Sequence, residues 1–382
     1  MVLIILLVLG FILPPVMAWF FRGKTGTQLA IYLGTLLAIG LPALILGIHL
    51  RNQANFSELG MMGVIPAMFL IGLTGILLLA GLIEFGVLRL LGLTSLGAIA
   101  RVTYYEALLQ PFTLIVLAGG VFAIVIFGFV PFFTLNEDSK MYRDVTTSFA
   151  FMFVMPILIF ASSKVVDEEI ENRTMLTLMS KPVSRWQVVI GKYTGVLLLI
   201  LVCTFALGTM AGVSSFARYF DDQRMDYFVA GSQADIAKLD SDNHKTLLAL
   251  VPANILQFMQ LATLAAVSVA ISTRFGLALN VTVIVLMYML SNLARYVDLL
   301  QLTQPWEGIV KFGAKLLPSL GLLDINQRLI YGNYNLGKEM IVGLPGYDQI
   351  WGYVGQSGLY TVLYIGAALC LAVGLFRTRE LS

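Results

Sequence analysis

The feature that most constrains this chain is a recurrence of strongly apolar runs, each long enough to span a lipid bilayer. Hydrocarbon offers no water to free backbone amides, so a run of about 20 apolar residues must satisfy its own hydrogen bonds as a helix. Nine such runs are present, at about 1–21, 28–50, 61–88, 112–135, 146–163, 188–213, 249–271, 277–294 and 357–376. The fifth has a short strictly apolar core, Phe149 to Ala161. Charged residues are 12% of the chain, against roughly 25% in a soluble domain. The expected fold class is therefore an all-α polytopic membrane protein with about nine transmembrane helices.

Composition also removes several functions. A net charge of +2 without a basic tract gives no reason to expect a nucleic-acid partner. Cys203 and Cys370 each sit inside an apolar run, and His49 and His244 are isolated, so no metal or redox pattern forms. No catalytic residue, cofactor site or metal site is expected. The first run lacks a positive n-region and a small-x-small site before Arg22, and reads as a retained anchor kinked at Pro14 and Pro15.

Lysine and arginine in short loops set orientation. One side collects Arg22, Lys24, Arg89, Arg101, Lys164, Arg173, Lys181, Arg185, Lys192, Arg274, Arg377 and Arg379. That side is expected to be the cytoplasm, which places the N-terminus outside and the C-terminus inside. The opposite side receives 51–60, 136–145 and two long segments, 214–248 and 295–356.

Two stretches interrupt the hydrocarbon. Residues 95–110 mix Arg101, Tyr104, Tyr105 and Glu106 with apolar residues, as a helix in the cytoplasmic interface would. Residues 305–331 hold Trp306, Lys311, Lys315 and a break at Pro318, with apolar residues at helical spacing. They read as short interfacial helices on the outer face, and 332–355 reads as an ordered loop.

The strongest anomaly is a polar island, Lys164 to Lys192, between the fifth and sixth runs. Its first half carries Asp167, Glu168, Glu169 and Glu171 and its second half is basic. Pro182 cannot continue a helix. Ser184 followed by Gln187 is a capping box, with Val183 and Val188 placed for a hydrophobic staple, so the sixth helix is expected to start at Ser184. Asn172 is placed to cap a short helix through Ser180. A solvated loop would account for the basic residues. The acidic cluster adds nothing to positive-inside orientation and fits pairing with basic residues, either nearby or on a partner.

At these residues the sequence resembles the permease subunits of type-2 ABC transporters. Their coupling loop has an acidic part, here Glu168, Glu169 and Glu171, and a middle, here Thr174, Leu176, Leu178 and Ser180. It ends in Pro-Val-Ser-Arg and Gly-Lys, here Pro182 to Arg185 and Gly191-Lys192. Asn172-Arg173 stands where the family usually has a glycine. The closest pattern is that of permeases of the nitrous-oxide-reductase maturation transporter. The resemblance covers about 95–382 as a six-helix core, with 95–110 as its elbow helix, preceded by a three-helix extension at 1–94.

The resemblance implies an exporter in a bacterial inner membrane. Two ABC ATPase subunits would bind ATP and magnesium, and a second permease, the same chain or a related one, would complete it. The ATPase-coupling residues would be Glu168, Glu171, Asn172, Arg173, Thr174, Leu178, Lys181, Pro182, Ser184 and Arg185. No G-x-x-x-x-G-K-[ST] phosphate loop occurs, so ATP hydrolysis would belong to the partner. Two other readings stand beside it: a membrane scaffold without transport, and a secondary transporter. The latter is disfavoured because the runs at 112–135, 188–213 and 249–271 carry no acidic residue.

Overall fold

The computed structural model describes residues 94–128, 138–171, 184–222, 233–294, 317–325 and 347–377, with shorter pieces at 75, 79, 81–87, 130, 297, 308 and 310–313. Among them every regular element is helical. They are a π-helical stretch Leu82–Val87, then α1 Ser95–Leu108, α2 Pro111–Phe127, α3 Asp138–Glu171 and α4 Arg185–Asp222. There follow α5 Gln233–Ser272, α6 Leu277–Ala294, α7 Leu320–Leu323 and α8 Tyr347–Arg377.

Five helices contain stretches long and apolar enough to cross a membrane: 138–164 of α3, 185–216 of α4, 250–272 of α5, all of α6, and 350–376 of α8. The pair α1 and α2 qualifies together, bent by 61° between them. The bend follows from Pro111, whose ring excludes helical backbone at the residue before it. Gln110 is extended, at φ −67° and ψ 129°, and Pro111 then opens α2 where its missing N–H costs nothing. At the other end Thr94 caps α1, its Oγ1 accepting the Gly97 N–H at 3.1 Å.

The helices run beyond the lengths read from hydropathy. Polar residues Asp138 to Arg143 extend the fifth run, so its short apolar core does not prevent a full span. α4 continues to Asp222 and α5 begins at Gln233, so most of the segment expected as an outer loop at 214–248 is helix. α8 begins at Tyr347, ten residues before the apolar run at 357–376 and so within the segment read as an outer loop. Local polarity ends a hydropathy run without ending a helix, because backbone hydrogen bonds continue wherever the side chains tolerate it. The first two apolar runs, and most of the third, lie outside the described residues.

The described chain forms two compact units, and α3, α4 and α5 each contribute to both. In the first unit (1–93, 108–154 and 201–251), α2, α3 and α4 meet around aromatic residues. Phe127 and Phe149 stack edge to face at 4.7 Å, and Gly120 lets Phe153 and Leu207 approach where a Cβ would stand 3.1 and 3.2 Å from them. Arg218 of α4 donates to Gly128 O at 3.0 Å and to Asp138 Oδ2 at 3.2 Å, tying α2, α3 and α4. Tyr142 donates to Ile124 O at 2.8 Å. In lipid, where hydrophobic burial drives little, such close small-residue contacts and interhelical hydrogen bonds carry helix association. The second unit (94–107, 155–200 and 252–382) holds α1, the ends of α3 and α4 that flank the island, most of α5, and α6 to α8.

Candidate functional site

The island's acidic half is helical. α3 leaves its apolar span at Lys164 and continues unbroken through Glu171, seven residues further, which is about 10 Å of helix. Asp167, Glu168, Glu169 and Glu171 therefore lie on a helical extension of a membrane helix. Lys164 stands over the Phe160 ring at 5.5 Å, one helical turn away. Asn172, Arg173, Thr174, Leu178, Lys181 and Pro182 lie outside the described residues, as does the short helix expected from Asn172 to Ser180.

The chain re-enters at Ser184, which caps α4: its carbonyl accepts the N–H of Gln187 at 3.0 Å and of Val188 at 3.3 Å. Half of the capping box is present. Gln187 Oε1 accepts the Ser184 N–H at 3.0 Å, whereas Ser184 Oγ, buried, makes no hydrogen bond.

Three sets of contacts bind the two stems of the island to neighbouring helices. First, Arg185 at the first position of α4 donates to the Phe376 carbonyl at 3.4 Å, in the last turn of α8. A cation placed on the unpaired carbonyls of a helix C-terminus complements its dipole. One of the candidate coupling residues thus fastens α8 to the start of α4.

Second, Gly191 and Gly195 form a small-xxx-small face against α1. A Cβ on Gly191 would stand 2.9 Å from Leu96 O and 3.0 Å from Ile99 Cβ. On Gly195 it would stand 2.6 Å from Thr103 Cβ and 2.7 Å from Ala100 O. Only hydrogen fits there, so the glycine of the Gly191-Lys192 pair is required by backbone packing. Lys192 beside it is 2% exposed.

Third, a polar cluster joins α3, α5 and α6 just below the island. Ser162 Oγ donates to Ile159 O and meets Ser268 Oγ. Asn280 Nδ2 donates to Ser268 Oγ at 2.8 Å and to Ser163 Oγ. All four side chains are fully buried. Sequence reading missed this cluster, although an asparagine inside an otherwise apolar run is a recognisable signal in a membrane helix. It also missed the spacing of Gly191 and Gly195, a sign of close helix contact in plain view.

Repeated membrane-length helices and a charged helical extension define a multi-pass membrane protein. A family described as ABC-2 family transporter protein matches residues 130–370, well over half of the chain. The chain belongs to this family: it is a permease component of an ABC transporter, of the kind that works with a partnering ABC ATPase. No curated protein matches the chain.

Proposed function

We propose that the chain is the membrane-spanning permease of an ATP-driven exporter, coupled to its ATPase through the island 164–192. Two ATPase subunits, carrying ATP and magnesium, dock on a pair of permeases, either two copies of this chain or this chain with a related one. The permease adds a three-helix extension, 1–94, to its six-helix core, for nine helices in all. It lies in a bacterial inner membrane with its N-terminus outside and its C-terminus in the cytoplasm. Glu168, Glu171, Asn172, Arg173, Thr174, Leu178, Lys181, Pro182, Ser184 and Arg185 form or shape the ATPase contact. The island's pattern is similar to that of nitrous-oxide-reductase maturation permeases.

The observation that carries this reading is the continuity of α3 from Asp138 to Glu171. A force applied beyond Lys164 passes into the membrane span along one continuous helix, in which Pro156 is the residue that donates no backbone hydrogen bond. α4, starting at Arg185 within the island's basic half, supplies the second helical stem. Charge reversal tests it: Glu168→Lys with Glu171→Lys is expected to abolish nucleotide-driven transport while the permease still inserts and folds. Unchanged ATPase stimulation and unchanged complex assembly in that variant would remove the acidic cluster from the contact.

A further inference from the structure

We propose that α6 is a strut that carries movement of the island's stem to the segment 317–325, with Asn280 and Ser291 as its two positioning residues. This rests on the coupling reading above. α6 is sparsely supported: 17% of its span is buried, the same share as in α8, against 67% for α4 and 72% for α5. Its buried residues are Asn280, Ile284 and Ser291, so two of the three are polar. Leu279, Val281, Leu286, Met289, Leu290 and Leu293 are exposed. Apolar side chains facing lipid gain nothing from one helix neighbour over another, so the polar ties fix where this helix stands.

Those ties sit at opposite ends. Near its start, Asn280 uses both amide hydrogens, one on Ser163 of α3 and one on Ser268 of α5. Ser268 Oγ in turn meets Ser162 Oγ, so the chain of bonds runs on from α6 into α3. Ser163 is one residue before Lys164, where the island begins. Eleven residues on, about 16 Å along the helix, Ser291 donates to the carbonyl of Pro318. The segment beyond is held to α8 in turn: Tyr360 Oη accepts the Ser319 N–H at 2.7 Å, and Tyr353 donates to Leu322 O. A displacement of the α3 stem reaches α6 through Asn280, and leaves it through Ser291 at the end away from the island.

Hydrogen exchange on the permease co-purified with its ATPase, with and without ATP and vanadate, tests this. The wild-type complex is expected to show a nucleotide-dependent change in exchange both at 165–171 and at 317–325. The triple variant Ser163→Ala, Ser268→Ala, Asn280→Leu removes donors and acceptors together, which leaves no buried group unsatisfied. It is expected to keep the response at 165–171 and lose it at 317–325. Ser291→Ala, a milder change at the other end, is expected to give the same loss and carries the test if the triple variant folds poorly. A response at 317–325 that persists in Ser291→Ala, or in a folded triple variant, overturns the strut and leaves the coupling reading standing. No response at 165–171 in the wild-type complex overturns the coupling reading, and the strut with it.

Discussion

Gly195 offers the sharpest test of how the island's second stem is built. Replacing it with alanine puts a methyl group 2.6 Å from Thr103 Cβ, 2.7 Å from Ala100 O and 2.8 Å from Thr103 Cγ2. Carbon atoms settle at about 3.5–4.0 Å, so α1 must retreat by about 1 Å. A change of rotamer at Thr103 moves Cγ2 only; the Cβ and the carbonyl belong to the α1 framework. Overpacking of this kind costs about 1–3 kcal/mol. Alanine returns about 1 kcal/mol through helix propensity, which leaves a net loss of about 1 kcal/mol.

Gly212 on the same helix is the control, since a Cβ there meets nothing within 4 Å. Gly212→Ala is expected to stabilise by up to about 1 kcal/mol, so the two substitutions differ by about 2 kcal/mol. Gly191→Ala falls between them, its closest approach being 2.9 Å. The assay is the fraction remaining monodisperse after graded heating in micelles, paired with hydrogen exchange over α1. Gly195→Ala is expected to raise exchange across Ser95–Leu108, and Thr103→Gly to relieve it only in part, because Ala100 O stays in place. A Gly195→Ala protein as stable as Gly212→Ala, with unchanged exchange in α1, would refute the close contact.

Three further outcomes follow from the same geometry. Asp138→Asn, which takes the charge from a pair with side chains only 18% and 11% exposed, is expected to cost about 3 kcal/mol. The charge swap Asp138→Arg with Arg218→Asp should recover part of it in the same heating assay. At the α4 cap the usual ranking of residues reverses: Ser184→Ala should cost almost nothing because Oγ bonds nothing, whereas Gln187→Ala should cost about 1 kcal/mol. Equal losses at the two positions would contradict the half-formed box. Arg185→Met should loosen the last turn of α8 by about 0.5–1 kcal/mol, read as faster exchange at 372–377, with Arg185→Lys intermediate.

The helical class and six core apolar stretches were legible because lipid permits a long apolar run to be only a helix. The break at Pro111 and the start of α4 at Ser184 were legible for local reasons, a proline ring and a cap. Helix ends were not: Asp138 to Arg143, 214–222 and 347–356 are polar or mixed, and hydropathy could not see that the backbone continues through them. The candidate site divided in the same way. The acidic cluster stood out as charge in hydrocarbon, and α3 carries it as helix. Arg185, read as an ATPase contact, also donates to the Phe376 carbonyl, 191 residues away in sequence. Asn280 with Ser163, and Arg218 with Asp138, are pairings between distant stretches that only three-dimensional packing brings together. Gly191 lay inside the motif that carried the resemblance, and its reason, the backbone of α1, was equally non-local.

The island is the proposed place where an ATPase grips this permease. Site-specific photo-crosslinking from the island tests it most directly, with a reactive residue placed in turn at Glu168, Glu171 and Leu178, and at Leu322 and Leu363 as controls. Adducts with a protein bearing a phosphate loop are expected from the three island positions, weakened when the neighbouring island carboxylates are charge-reversed, and none from the controls. Adducts with that ATPase from Leu322 or Leu363, or none from the island in an assembled and active complex, would contradict it.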